Sequence, residues 1–211
     1  MGAINSSPGA LVLFDIGGVL IRWKDERTFR EVARRSRVDY ARVVSVMTEC
    51  REDLQSGRTT PAEFWHRVEE GIGVPLPGGR ERLWVGEMAR HAVPIAATFR
   101  IASQLREQGV PTGVFSNTDP SHVVIFRQKR WFAEFDPWVL SYEAGAAKPS
   151  PRAFAWAERV SGRSRKELVL VDDRAANVEA ARARGWRAVH YRNTREARRL
   201  LAAMLRREPG Q

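Results

Sequence analysis

Short, mainly apolar runs recur along the chain: Leu11–Phe14, Thr112–Phe115, Trp138–Ser141, Leu168–Val171 and Ala188–Tyr191. A strand that does not alternate apolar with polar residues must bury both of its faces. Such runs therefore predict a parallel sheet covered by helices on each side. The intervening segments agree. A helix runs to about Gln108 and stops at Gly109, and others are expected over Pro120–Arg130, Pro151–Val160, Ala175–Arg184 and about Thr194–Arg207. The fold class is therefore α/β, a doubly wound parallel sheet. Between the first and second strands the pattern is helical throughout. Asp25 is placed as the cap of a helix through Arg34, and a second helix runs from about Asp39 to Asp53. Thr60-Pro61-Ala62-Glu63 combines an N-cap threonine, a first-turn proline and a glutamate at N3. It starts a third helix ending near Gly71 and Gly73, and Gly78–His91 gives a fourth. This block is too long for a simple crossover. It reads as an inserted helical subdomain over residues 23–92, with the core formed by residues 1–22 and 93–211.

The composition, 43% hydrophobic and 28% charged over 211 residues, suits a soluble globular chain with one sizeable core. The most apolar stretch, Ala10–Ile21, contains Asp15 and glycines, and it falls short of the ~20 residues a membrane span needs. No basic-then-apolar leader opens the chain, and residues 1–9 read as a loose polar leader. Met1-Gly2 with Ser6 matches a myristoylation pattern only by chance. Cys50 is alone, which excludes an intrachain disulfide and suits a reducing, cytoplasmic setting. The net charge of +10 comes from arginines spread among glutamates, as in Arg80-Glu81-Arg82. It reflects an arginine bias on solvated helix faces with some attraction for anionic substrates. Neither a nucleic-acid nor a membrane partner is expected, and a monomer or a homodimer would satisfy the sequence.

In a doubly wound sheet the functional groups gather at the carboxyl ends of the strands. Four such ends carry distinctive residues here: Asp15-Ile-Gly17-Gly18, Ser116-Asn117-Thr118-Asp119, Lys148-Pro149 and Asp172-Asp173 followed by Asn177. Each has an ordinary reading as a turn, a cap or an exposed loop residue. Together, in this order, they compose a phosphoryl-transfer site. Asp15 offers a nucleophilic carboxylate, and Asp15, Asp172 and Asp173 supply hard oxygen ligands for Mg²⁺. Ser116 and the Asn117 backbone can donate to phosphate oxygens, and Lys148 balances the negative charge. Gly17 and Gly18 permit a tight turn.

These four segments resemble the ordered motifs of the haloacid dehalogenase superfamily over about Leu11–Tyr191. The resemblance implies a Rossmann-like core with a helical cap inserted after the first motif. It implies Asp15 as nucleophile, with Ser116 and Lys148 as catalytic and substrate-binding partners and Asn117 also at the substrate. Metal coordination would come from Asp15, the Gly17 carbonyl, Asp173 and Asp172, the last directly or through water. Asn177 would orient the metal ligands. Phe14-Asp15-Ile-Gly-Gly-Val with Ser116-Asn-Thr-Asp-Pro-Ser-His122 is most similar to the sugar-1-phosphatase-like branch. The expected activity is Mg²⁺-dependent hydrolysis of a small phosphorylated metabolite, a sugar phosphate being one candidate.

One position departs from the phosphatase pattern of that superfamily. Where most members carry an acid–base aspartate two residues after the nucleophile, this chain has Gly17. Such assistance is worth ~10²–10⁴ in rate. A substrate with a good leaving group, an anomeric or acyl phosphate, would need it less. A 2-haloacid dehalogenase using Asp15 without metal would not need it at all, but the pair Asp172-Asp173 argues against that reading. A non-catalytic binding protein is the third alternative. Asp119 is a possible substitute acid with nothing in the sequence to bring it within reach. His122 is read as structural. His66, His91, Trp65, Trp84, Arg51 and Glu52 are candidate cap contacts, the two tryptophans as cap core, and Trp23 is placed at the entrance between cap and core.

Overall fold

Five of the apolar runs lie side by side in one wholly parallel sheet. The computed structural model describes residues 9–23, 25–76 and 79–206. Almost all of the expected leader, the myristoylation match, Gly78 and Arg207 lie outside the described residues. In chain order the elements begin with β1 (Leu11–Phe14) and β2 (Ile21–Arg22). The helices α1 (Glu26–Ser36), α2 (Tyr40–Gln55), α3 (Pro61–Ile72) and α4 (Arg80–His91) follow. The chain continues through β3 (Val93–Pro94), α5 (Ala96–Glu107), β4 (Thr112–Ser116), α6 (Pro120–Arg127), β5 (Trp138–Leu140) and α7 (Ser141–Ala144). It ends with α8 (Pro151–Ser161), β6 (Leu168–Asp172), α9 (Ala175–Ala183), β7 (Arg187–His190) and α10 (Thr194–Leu205).

The strand order is β5-β4-β1-β6-β7, which puts β1 at the centre. After β4 and β5 have extended the sheet on one side, the chain crosses to β6 and β7 on the other, so the order reverses around β1. Phe14 is level with Val114 on one neighbour and Val171 on the other. Asp15, Ser116 and Asp172 therefore emerge at one edge of the sheet. The strands bury alternate residues into opposite layers. Val12, Phe14, Val114, Val171 and Val189 pack with Ile101 and Leu105 of α5 and Leu201 and Leu205 of α10. Leu11, Leu13, Phe115, Leu170 and Ala188 pack with Phe154 of α8 and Val178 of α9. Continuous apolar runs are what a sheet covered on both faces requires.

Helices α1–α4 build a separate apolar cluster around Phe29, Val43, Met47, Phe64, Trp65, Val68 and Trp84. Their starts follow local chemistry. Asp39 accepts from the Ala41 and Arg42 amides, and Thr60 with Glu63 closes a full capping box. Asp25 differs from the expected cap: it makes no side-chain cap bond to α1. Its carboxylate instead accepts from Trp23 Nε1 at 2.7 Å and Arg51 Nη1 at 2.5 Å, a charged partner outcompeting backbone amides. The block is tied to the sheet by an antiparallel ribbon in which Ile21 pairs with Pro94 and Arg22 with Val93. Two-residue strands carry no periodicity, so this ribbon is silent in the sequence. Two expected boundaries also move. Helix α6 stops at Arg127 and a 3₁₀ turn follows at Arg130–Phe132. Strand β5 stops at Leu140 because Ser141 turns inward, its hydroxyl accepting from the Thr118 amide at 3.0 Å and donating to the Thr118 carbonyl at 3.2 Å. Among the described residues, no helix is long and apolar enough to cross a membrane.

Candidate active site

Asp15 is the first residue beyond β1, and its amide donates to the Val171 carbonyl at 2.9 Å. That bond continues the sheet pairing by one residue and sets Asp15 beside Asp172, the last residue of β6. The Asp15 carboxylate accepts from the Ile16 amide at 2.8 Å and from the Ser116 hydroxyl. Lys148, fully buried, sits between the two acids. Its Nζ lies 3.4 Å from Asp15 Oδ1 and 2.6 Å from Asp172 Oδ2, and it donates to the Phe115 carbonyl at 2.6 Å. One side chain thus joins the ends of β1, β4 and β6.

The electrostatics follow from that crowding. Burial pushes the Asp15 carboxyl up to about 6, against the pull of Lys148 and with the repulsion of Asp172 added. Burial alone would lower the Lys148 pKa, but the flanking carboxylates overcome it and hold the ammonium above its usual range. Asp173 is exposed at the cleft, and partial desolvation with the nearby Asp172 charge raises its carboxyl too.

Oxygens of Asp15, Asp172 and Asp173 lie within 4.8 Å of one another. Hard carboxylate oxygens at that spacing suit a divalent cation. Gly18 adds a second sign of fit. A Cβ there would fall 2.1 Å from Asp173 Oδ2, so the glycine makes the room in which that carboxylate lies. Gly18 also has φ +75°, whereas a Cβ on Gly17 would meet nothing within 4 Å. The tight turn depends on Gly18 alone. Asp172 is further committed: its oxygens accept from the Arg174 amide at 2.9 Å and from Asn177 Nδ2 at 3.0 and 3.1 Å, besides Lys148. Asn177 therefore orients Asp172.

Asn117 holds the Lys148 segment in place. Its side chain accepts from the Lys148 amide at 2.7 Å and donates to the Lys148 carbonyl at 2.8 Å. Asp119 points elsewhere. It caps α6 through the His122 amide, accepts from Trp84 Nε1 at 3.2 Å, and lies 3.0 Å from His122 Nδ1. Although burial works against ionisation, His122 and these donors hold Asp119 below the usual carboxylate range. It is not the missing acid at position 17.

Two connected spaces lie over the strand ends. An open cleft of about 1070 Å³ is lined by Asp15, Ser116, Lys148 and Asp173 below and by Thr48, Arg51, Glu52, Gln55 and Arg58 from the helical block. A side pocket of about 70 Å³ is lined by Ile16, Gly17, Ile21, Trp23, Arg51, Gln55, Met88, Ser116, Asn117, Thr118, His122 and Phe126. Trp23, Arg51 and Glu52 thus reach the cleft. His66, in contrast, is exposed beside Glu70, and His91 faces Glu87 and Arg27, so neither lines these spaces. Trp65 and Trp84 pack in the helical cluster. Thr48, Gln55 and Arg58 had no distinguishing mark in the sequence. Only the way α2 and the loop after it lie over the strand ends makes them cleft residues.

Comparison with known proteins gives a consistent picture. A family model described as haloacid dehalogenase-like hydrolase matches residues 10–185. The sesquiterpene phosphatase astK of Aspergillus oryzae is 25% identical over 179 residues, covering 84% of this chain and 87% of that protein. The crystal structure of the HAD family enzyme BT-2542 from Bacteroides thetaiotaomicron, in complex with magnesium and inorganic phosphate, superposes with a TM-score of 0.69. It is 23% identical, with 85% of this chain and 92% of that one covered. A predicted HAD-like family hydrolase from Porphyromonas gingivalis gives a TM-score of 0.71 at 25% identity, covering 85% and 89% of the two chains.

Proposed function

The chain belongs to the haloacid dehalogenase-like hydrolases, and from that premise we propose that it is a phosphatase acting on a small phosphorylated metabolite through Asp15. The observation that carries this reading is the cluster itself: a buried carboxylate beside Ser116 and Lys148, with two more carboxylates in reach. A dehalogenase has no use for three carboxylates gathered within 4.8 Å of one another, whereas a phosphoryl site does. The phosphatase named among the relatives and the phosphate-bound neighbour support the same choice.

In this reading Asp15 attacks phosphorus and becomes an aspartyl phosphate, which water then hydrolyses. Lys148 and the Ser116 hydroxyl neutralise and orient the phosphate oxygens, while Asn117 fixes the Lys148 backbone. Asp15 and Asp173 with the Gly17 carbonyl, and Asp172 alongside, would hold Mg²⁺. When bound, the ion offsets the charge shared by the acids and the phosphate. Asp172 keeps Lys148 in place. Residues 23–92 act as a cap whose α2 face, with Arg51, covers the substrate and excludes water. The side pocket mixes apolar side chains such as Ile16, Trp23 and Met88 with polar ones such as Ser116, Thr118 and His122, and it would take part of the substrate beyond the phosphate.

The test is phosphate release from a panel of sugar, acyl, alkyl and aryl phosphates, with Mg²⁺ and with chelator. Metal-dependent turnover is expected for the wild type, with loss of at least about 10³-fold in Asp15→Asn, as for removal of a covalent nucleophile. Halide release from a 2-haloacid without metal, and no phosphate release, would overturn the reading.

A further inference from the structure

His122 combines three properties that a structural histidine does not need together. Its side chain is 6% exposed and fixed on two sides, by Asp119 Oδ2 3.0 Å from Nδ1 and by the Trp84 ring stacked at 4.7 Å with 12° between planes. Its Nε2 is buried and has no hydrogen-bond partner among the described residues. A buried polar atom left in that state is costly unless a ligand completes it. Finally, His122 lines the side pocket together with Ser116, Asn117 and Gly17, the last being the position where the family's phosphatases carry an acid. The pocket places His122 in the same cavity as the vacant position.

We propose that His122, held by Asp119, is the general acid–base of this enzyme and touches the leaving-group oxygen; the proposal rests on the phosphatase reading above. With Asp119 accepting from Nδ1–H, the protonated ring keeps an Nε2–H that no described residue accepts, on a side chain that lines the pocket. As the bond from Asp15 to phosphorus forms, the phosphorus–oxygen bond to the leaving group breaks. The departing oxygen takes that electron pair and the Nε2 proton. The neutral ring next takes a proton from the water whose oxygen attacks phosphorus, and the bond to Asp15 breaks to regenerate its carboxylate. The charged groups facing the ring are Asp119 on its own helix and Arg51 across the pocket from α2. Helix α4 contributes Trp84 and Met88, and the segments around β1 and β2 contribute Ile16, Gly17, Ile21 and Trp23, all uncharged.

The discriminating measurement is leaving-group dependence. With Mg²⁺, kcat/KM is taken for a series from p-nitrophenyl phosphate through phenyl phosphate to an alkyl phosphate, on wild type, His122→Asn and His122→Gln. Both variants are expected to lose about 10²–10⁴-fold on the alkyl phosphate and much less on p-nitrophenyl phosphate, whose phenolate leaves without a proton. Asp119→Asn keeps the ring and removes its anchor, so it is expected to show the same selectivity to a smaller degree. Turnover of p-nitrophenyl phosphate doubles as the check that each variant is folded. An equal loss across the series, or none, would overturn the assignment of His122 while leaving Asp15 in place. A wild type inactive on every member would overturn the phosphatase reading and this proposal together.

Discussion

Gly17 and Gly18 are neighbours in sequence but answer to different constraints. Gly18 has a left-handed backbone and lies against Asp173, so Gly18→Ala is expected to cost about 1–3 kcal/mol in a thermal or urea melt and to weaken Mg²⁺ binding. Gly17 faces open space, and a side chain there would project toward the pocket that His122 lines. Gly17→Asp is therefore expected to fold with a melting temperature near that of the wild type. Placed in the His122→Asn background, it should return much of the lost alkyl-phosphate turnover, because it supplies an acid to the same space. A double variant as slow as His122→Asn alone would count against a shared role for the two positions. At this scale Asp15, Lys148 and Asp172 stood out only as a set, because each has an ordinary reading alone and their order after successive strands does not. The Trp84–Asp119–His122 contact was not, since it joins residues 35 and 3 positions apart through packing that no spacing rule encodes.

At the level of elements, the sheet could be read because each of its strands is a buried apolar run flanked by turn chemistry. The helices of the inserted block could be read from caps such as Thr60 with Glu63. What escaped was decided by competition between partners. Asp25 left the amides of α1 for Arg51 and Trp23. Ser141 ended β5 by bonding to Thr118, which fixes the loop after β4 against the loop after β5. The β2–β3 ribbon is two residues long on each side and includes a proline, so neither alternation nor propensity announces it. It nevertheless ties the start and end of the helical block to the mouth of the site. The cleft-lining residues of α2 were invisible for a related reason: a helix surface does not declare which neighbour it will face.

Across the whole molecule, the clustered acids make a testable link between function and stability. Asp15 titrates at about 6 in the folded chain against an ordinary 3.8, so the folded state holds this proton more tightly than the unfolded one. Its contribution to stability is full below the unfolded value and is lost as pH rises through about 6. Metal-free wild type is therefore expected to lose stability relative to Asp15→Asn over that window, by about 3 kcal/mol, in melts run across the range. Mg²⁺ added near neutral pH should raise the wild-type melting temperature and that of Asp15→Asn much less. A flat difference between the two proteins across the window would show that burial, with the neighbouring acids, does not hold the Asp15 proton as the geometry implies.

The central claim is that Asp15 carries the phosphoryl group, and the most direct test is to trap it. Wild type turning over p-nitrophenyl phosphate with Mg²⁺ is quenched in acid, digested and mapped by mass spectrometry. A phosphoryl adduct on the peptide containing Asp15, absent with chelator and in Asp15→Asn, is the expected result. Turnover with no adduct, together with an active Asp15→Asn, would contradict the account.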